Sequence, residues 1–305
     1  MLDAAVLLEG RLTAWEPLLG ALKPGAAVVA AVSWRGVCAA EDTGFEIKDG
    51  LLWVRPTGHV RLMLARKPLD GTLASNTLKW GVGGINVGAC RNGVRGGTTR
   101  SHQTHQYTQI GWTTGHEVVP IDAGRWPTNV ILSHAEECRL VGTKKVGNGP
   151  ARTHAEVNIP SSWKPGYGYG TNSSPSMASY GQEEVEDWEC VLGCPVRALD
   201  WQTGHSKSPA PYVQQTESRG RVGAGMSVKG RITPHYGDEG GGSRFFTTLP
   251  ADPLALPGHL IRLIAPLGSL VFGDNAAIAR AAEQAGWRYQ DTLSTENGPA
   301  TMGSP

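Results

Sequence analysis

The stretch "GSLVFGDNAAIARAAEQAGW", residues 268–287, decides the fold. It reads as a strand, a tight turn and a helix, the unit in which an α/β enzyme often holds a nucleotide or a cofactor. Gly273 is the turn's only glycine, and Asp274 and Asn275 read as turn and N-cap residues ahead of a helix that begins at once.

Working outward, "LALPGHLIRLIAPLG" before this stretch predicts a helix. At the other end of the chain, "AAVVAAV" (26–32) has the continuous small and β-branched character of a parallel strand buried on both faces. A short helix through Asp42 and extended segments at "FEIKDGLLWVR" (45–55) and "VRLMLARKP" (60–68) continue the rhythm of a doubly wound sheet. Ahead of them Ala5, Leu8, Leu12, Trp15, Leu18 and Leu22 recur at helical spacing and predict a helix from Leu2 to Leu22, stopped by "KPG". Cys38 is expected in the core.

Between about residues 80 and 245, glycine, serine, asparagine and proline interrupt the apolar runs, and only "WPTNVIL" (126–132) and "CPVRALDWQ" (194–202) look regular. The segment 149–181 has the composition of a linker. The expected organisation is an α/β body in two parts, residues 1–80 and 248–305, split by a loop-rich insertion over 81–247.

A chain of 305 residues has room for a sizeable core. Its net charge of +1 hides local basic groups at Arg125, Lys144, Lys145, Arg152 and Lys164, and at Arg219, Arg221, Lys229 and Arg231. The N-terminus lacks the charged region and cleavage site of a signal peptide, and no apolar run reaches the roughly 18 residues of a membrane span. A cytoplasmic protein with no membrane partner is expected. Five cysteines, an odd number, suit a reducing compartment with metal or free thiols better than a disulfide framework.

Several segments together resemble the site-specific DNA amino-methyltransferases of phages and bacteria, which methylate the exocyclic amine of adenine or cytosine. They are "LKPGAAVVAAVSWRG", "EDTGFEIKDGLLWV", "RLMLARKPLDGTLASNTLKWGVGGINVGACR", "GRWPTNVILSH", "WECVLGCPVRALDWQTG", "GGSRFF" and "LPADPLALPGHLIRLIAPLGSLV", in family order across most of the chain. The resemblance implies a Rossmann-like methyltransferase sheet, S-adenosylmethionine as cofactor and DNA as partner. It also implies a catalytic tetrapeptide of the D-P-P-Y type ahead of the first helix, whose acceptor and aromatic ring hold a flipped-out base.

The chain departs from that pattern at the catalytic elements. No D-P-P-Y, N-P-P-Y or S-P-P-Y occurs, and "SPAPY" (208–212) lies in the insertion. Where the family places a glycine-rich D-P-F-x-G-S-G-T-T cofactor loop, this chain has "VFGDNAAIARAA", so Gly273, Asp274 and Asn275 hold a degenerate version of the cofactor position. Asp252 and Pro253 replace a Lys-Pro pair, and only "RPTGH" follows the "LLWV" strand. These losses argue against useful affinity for S-adenosylmethionine. They point to a non-catalytic or partner-dependent DNA-binding subunit, associated with a catalytic subunit or with itself. An active enzyme with divergent motifs and an interaction protein reusing the fold are the alternatives.

His134 and Cys138 stand as H-x-x-x-C, and Cys190 and Cys194 as C-x-x-x-C. One nitrogen and three thiolates suit a tetrahedral structural zinc, which would hold together an insertion with little core of its own. The alternative is that the cysteines are small buried hydrophobes and His134 a surface residue. Cys90 has no evident partner. Arg125 in "GRWPTNVIL" and Arg244 in "GGSRFF" stand beside Trp126 and Phe245. They read either as phosphate contacts with stacking rings, or as carboxylate partners with Trp126, Phe245 and Phe246 in the core. With the resemblance, Arg125, Lys144, Lys145, Arg152, Arg219, Arg221, Lys229, Arg231 and Arg244 are the expected DNA contacts. His102, His105 and His116 lack the spacing of a second metal site, and neither "GVGG" (81–84) nor "GAGMSVKG" (223–230) is placed as a phosphate loop.

Overall fold

The computed structural model describes residues 1–10, 12, 14–93, 98–108, 111–121, 124–147, 182–207, 212–213, 232–233, 239–295 and 298–300. Eight strands make the main sheet: β1 (Leu2–Leu7), β2 (Leu22–Ala31), β3 (Glu46–Arg55), β4 (Gly58–Arg66), β5 (Val130–Ser133), β6 (Thr247–Leu249), β7 (Leu270–Gly273) and β8 (Arg288–Gln290). Their spatial order is β6-β5-β3-β4-β2-β1-β7-β8. All neighbours run parallel except β4, which is antiparallel to both β2 and β3.

Strand alternation divides the core into two layers. Ala4, Val6, Val29, Leu62, Leu64 and Val271 face one side, packed on α5 (Ala255–Ile264) and α6 (Ala276–Gln284). Ala5, Leu7, Val28, Ala30, Met63 and Phe272 face the other. That side is covered by α1 (Glu16–Ala21), α2 (Trp34–Thr43) and α3 (Leu73–Trp80). A mostly parallel sheet with helices on both faces is the doubly wound arrangement expected from the sequence.

The N-terminal helix expected over Leu2–Leu22 is corrected. Among the described residues of that span only Glu16–Ala21 are helical, and Leu2–Leu7 form a strand that is buried throughout. The 3-to-4 spacing there is a by-product of an almost unbroken apolar run, which a central parallel strand needs on both faces. The one charge in that run, Asp3, accepts from Lys23 Nζ at 2.5 Å and from the Leu270 N–H at 2.7 Å, so its burial is compensated. Cys38 is exposed rather than in the core.

The region 81–247 holds more regular structure than its composition suggests. Thr98–Thr108 pairs with Gly111–Ile121, and Arg139–Gly147 with Gln182–Glu189, both antiparallel. A further helix, α4 (Pro195–Thr203), follows the second hairpin, and Val130–Ser133 returns to the main sheet as β5. No helix among the described residues is long and apolar enough to cross a membrane.

From β1 the chain winds through α1 to β2 on one side, and from β7 through α6 to β8 on the other. The strand order therefore reverses between β1 and β7, the switch point where open α/β sheets bind ligands. At that point a Cβ on Gly273 would lie 2.6 Å from Ile278 Cγ2 and 2.9 Å from Tyr289 Cε2. The glycine there serves close helix–sheet packing. Gly273→Ala is expected to cost about 1–3 kcal/mol, as overpacking does, read as a lower urea midpoint; an unchanged midpoint contradicts this packing.

Candidate metal centre and the switch-point crevice

His134, Cys138, Cys190 and Cys194 converge, with their ligand atoms all within 4.8 Å of one another. Each comes from a position fixed by local structure. His134 directly follows β5, and its N–H donates to the Leu249 carbonyl at 2.9 Å, tying it to β6. Cys138 closes a turn on Ala135 at 3.0 Å. Cys194 is the N-cap of α4, with Pro195 as the first helical residue, the position where proline loses nothing. Arg139 pairs with Glu189 in the hairpin ladder, so Cys138 and Cys190 stand at its two feet.

The His134 Nδ1 lies 3.3 Å from Cys190 Sγ and 3.7 Å from Cys194 Sγ. His134 and Cys194 are buried, while Cys138 and Cys190 are half-buried, and none of the cysteines is in a disulfide. Burial opposes ionisation of Cys194, but hydrogen bonds from His134 and from the backbone at Arg197 and Ala135 bring its thiol down to about 6. Burial and the neighbouring thiols push Cys190 well up. One imidazole and three thiols are a donor set that suits tetrahedral zinc, and their ligand atoms already lie within 4.8 Å of one another. The surface-histidine alternative does not hold, since His134 is only 2% exposed.

Trp188 has no signal of its own in the sequence. Its ring stacks on His134 with centroids 3.9 Å apart and planes 17° from parallel. His134 Nε2 is buried without a hydrogen-bond partner, so stacking, rather than the usual outer hydrogen bond, orients this ring.

A second clamp lies along the same hairpin. Glu183, fully buried, accepts a bidentate pair from Arg125, Nε at 2.8 Å and Nη2 at 2.7 Å, and Arg244 Nη1 stands 3.8 Å away. The centroid of the Phe245 ring lies 4.5 Å from the guanidinium carbon of Arg125 and 4.6 Å from that of Arg244. The arginines are thus engaged as the carboxylate reading has them, a geometry that suits a planar fork. Of the aromatic residues expected in the core, Phe246 packs beside the metal ligands, but Trp126 is 65% exposed and Phe245 is at the surface. Cys90 is buried with its thiol 3.9 Å from the His259 carbonyl.

Among the other expected DNA contacts, Lys144 pairs with Asp187 at 2.8 Å and Lys145 is exposed beside it. Arg152, Arg219, Arg221, Lys229 and Arg231 lie outside the described residues, as does "GAGMSVKG". So do the side chains of His102, His105 and His116.

At the switch point, Asp274 is buried and its two carboxylate oxygens accept from the backbone N–H groups of Leu8 at 2.8 Å and Glu9 at 2.9 Å. Asn275 caps α6 by accepting from the Ile278 N–H at 3.0 Å. Tyr289 donates its hydroxyl to the carbonyls of Gly273 at 3.0 Å and Asn275 at 3.3 Å, and burial pushes that hydroxyl up to about 12. The carboxyl ends of β1 and β7 are therefore bonded to each other through protein groups.

No family model matches the chain, and no curated protein matches it either. Among solved structures, the M1.HpyAVI–SAM complex is similar at a TM-score of 0.33 and 9% identity, over 94% of this chain and 78% of that one. A structure of M1.HpyAVI is similar at a TM-score of 0.18 and 19% identity, over 24% of this chain and 48% of that one. Likeness this loose carries no weight beside the geometry above.

Removing an outer support of a metal ligand commonly costs about 10–100-fold in affinity. Trp188→Ala is therefore expected to weaken zinc binding in a chelator competition by about tenfold or more, and an unchanged affinity refutes the stacking role. Glu183→Gln is expected to destabilise the chain by about 3–5 kcal/mol in urea, because it leaves Arg125 and Arg244 without their buried counter-charge. A change within error contradicts the clamp.

Proposed function

We propose that this chain keeps a methyltransferase-type α/β body as a non-catalytic or partner-dependent DNA-binding subunit. In this reading residues 1–80 and 248–305, joined by β5 from within 81–247, form the body, while the rest of 81–247 carries the zinc and the DNA contacts. The observation that carries it is Asp274 on the amides of Leu8 and Glu9. A cofactor with a charged sulfonium, an adenine and an amino-acid end needs a concave site where backbone comes close. Here that backbone is already hydrogen-bonded, and the glycine of the turn is filled around by Ile278 and Tyr289.

The catalytic position supports the same reading. A tetrapeptide ahead of the first helix corresponds to the segment between β1 and α1, and at the carboxyl end of β1 stand Leu8, Glu9 and Gly10. None of these is an aromatic ring able to stack on a flipped-out base, and Trp15, the aromatic residue next to α1, is buried edge-on against Phe45. His134, Cys138, Cys190 and Cys194 would hold one structural zinc, which supplies cross-linking of the hairpin's feet and no chemistry on a substrate. The partner is DNA, with a catalytic subunit or a second copy completing any active assembly, in the cytoplasm.

Calorimetric titration with S-adenosylmethionine, run beside transfer of a labelled methyl group to mixed-sequence DNA, tests this. The expected result is neither micromolar binding nor turnover, together with DNA retention that falls steeply as salt rises. Micromolar cofactor binding with turnover by the single chain overturns the non-catalytic reading, and salt-independent failure to retain DNA overturns the DNA-binding one.

A further inference from the structure

A cleft of about 540 Å³ opens between the hairpin Arg139–Gly147/Gln182–Glu189 and the body, next to the metal ligands. Lys144 and Lys145 line it from the hairpin, Arg91 from the segment after α3, and Arg262 from α5. Two carboxylates also line it, and both are occupied. Asp200 accepts from the Ser243 N–H at 2.7 Å and its hydroxyl at 2.8 Å, and Glu186 accepts from the Trp188 indole at 2.8 Å. Glu184, opposite Lys145 in the ladder, accepts from the Thr143 hydroxyl at 2.5 Å.

The cations are differently placed. The Lys144 pair with Asp187 is exposed on both sides, the kind of contact worth little and readily exchanged for a better anion. Arg262 is exposed and makes no ion pair or hydrogen bond with any described residue, yet stands close enough to act electrostatically on His259 and Cys90. Burial, helped by Arg262, pushes His259 down to about 4, so this buried ring adds no charge near neutral pH. Arg91, Lys144, Lys145, Arg244 and Arg262 thus line one space from two separate walls against the carboxylates of Glu186 and Asp200, which are held by neutral donors, so the lining carries an excess of positive charge. One wall belongs to the sheet and α5, and the other is tied down by the Glu183 clamp beside the candidate metal ligands.

We propose that this cleft is a groove for the phosphodiester backbone of a nucleic-acid strand, with Lys144 and Lys145 on the hairpin and Arg262 on α5 as its opposed phosphate contacts. The assignment rests on the DNA-binding reading and gives it a location that sequence did not, since Arg262 lies in the C-terminal body and outside the insertion. Two walls of opposite origin explain why a hairpin with so little core is clamped at both its feet and its flank. Phosphate contacts of this kind position a strand without reading its sequence.

Binding of a short labelled duplex, followed by fluorescence polarisation across a salt series, tests the groove. The full chain is compared with Lys144→Glu/Lys145→Glu, with Arg262→Glu, and with Arg280→Glu, an exposed arginine on α6 that does not line the cleft; thermal midpoints verify that each variant is folded. The groove predicts that the hairpin pair and Arg262→Glu each weaken binding and lower the salt slope by about one for every phosphate no longer neutralised, while Arg280→Glu leaves both unchanged. Binding that survives both cleft variants, or falls equally with Arg280→Glu, overturns the groove and leaves the DNA-binding reading standing. No binding by the unmodified chain at low salt overturns both. Displacement of the duplex by micromolar ATP, but not by inorganic phosphate, would make the cleft a nucleotide pocket and overturn the strand assignment.

Discussion

The convergence of one imidazole and three thiols at the feet of a hairpin is the constraint on which the region outside the sheet depends. The hairpin is exposed from Arg139 to Lys145, and on its other strand Glu183 and Val185 are the buried residues between 183 and 189, so it has little apolar surface to hold it. The small cluster of Leu132, Ala135, Cys194 and Val196, with Cys138, Cys190 and Phe246 against it, is too few groups to fix a long excursion by burial alone. A metal ion held by these residues would close the loop at its base, where a single cross-link removes most freedom from both strands. It would also join them to the sheet, because His134 continues β5 and is bonded to β6.

The sheet itself needs no such help. Its two faces bury continuous apolar layers, and each fully buried leucine or isoleucine contributes about 1.5–3 kcal/mol. What distinguishes it is the sealing of its switch point. In an open α/β sheet the strand ends there usually leave amides and space for a ligand. Here Asp274 takes the amides of Leu8 and Glu9, and Ile278 and Tyr289 pack closely on Gly273.

Much of this is legible in the sequence, for physical reasons that differ by element. The continuous apolar run at residues 26–32 and the strand-turn-helix at 268–287 carry their own periodicity, and the i to i+4 spacing of the two pairs marks the candidate metal centre. The first strand reads as a helix because alanine-rich runs buried on both faces show no alternation, so that helical spacing arises by chance at Ala5, Leu8 and Leu12. Glu183 and Trp188 are invisible as partners, since nothing local tells that a carboxylate will meet arginines some 58 residues upstream in Arg125 or that an indole will cover His134. Arg262 belongs to the same class: its helix is evident, but the cleft it faces is made by chain far away.

Amide hydrogen exchange on the zinc-loaded chain, before and after extraction of the metal by a chelator, tests this architecture most directly. The account predicts that protection is lost over 139–147 and 182–189 and at the start of α4, while β1, β2, β4 and β7 keep theirs, because the hairpin is held by its ligands and the sheet by its core. Unchanged protection of the hairpin after the metal is gone would contradict it, and so would loss of protection throughout the sheet.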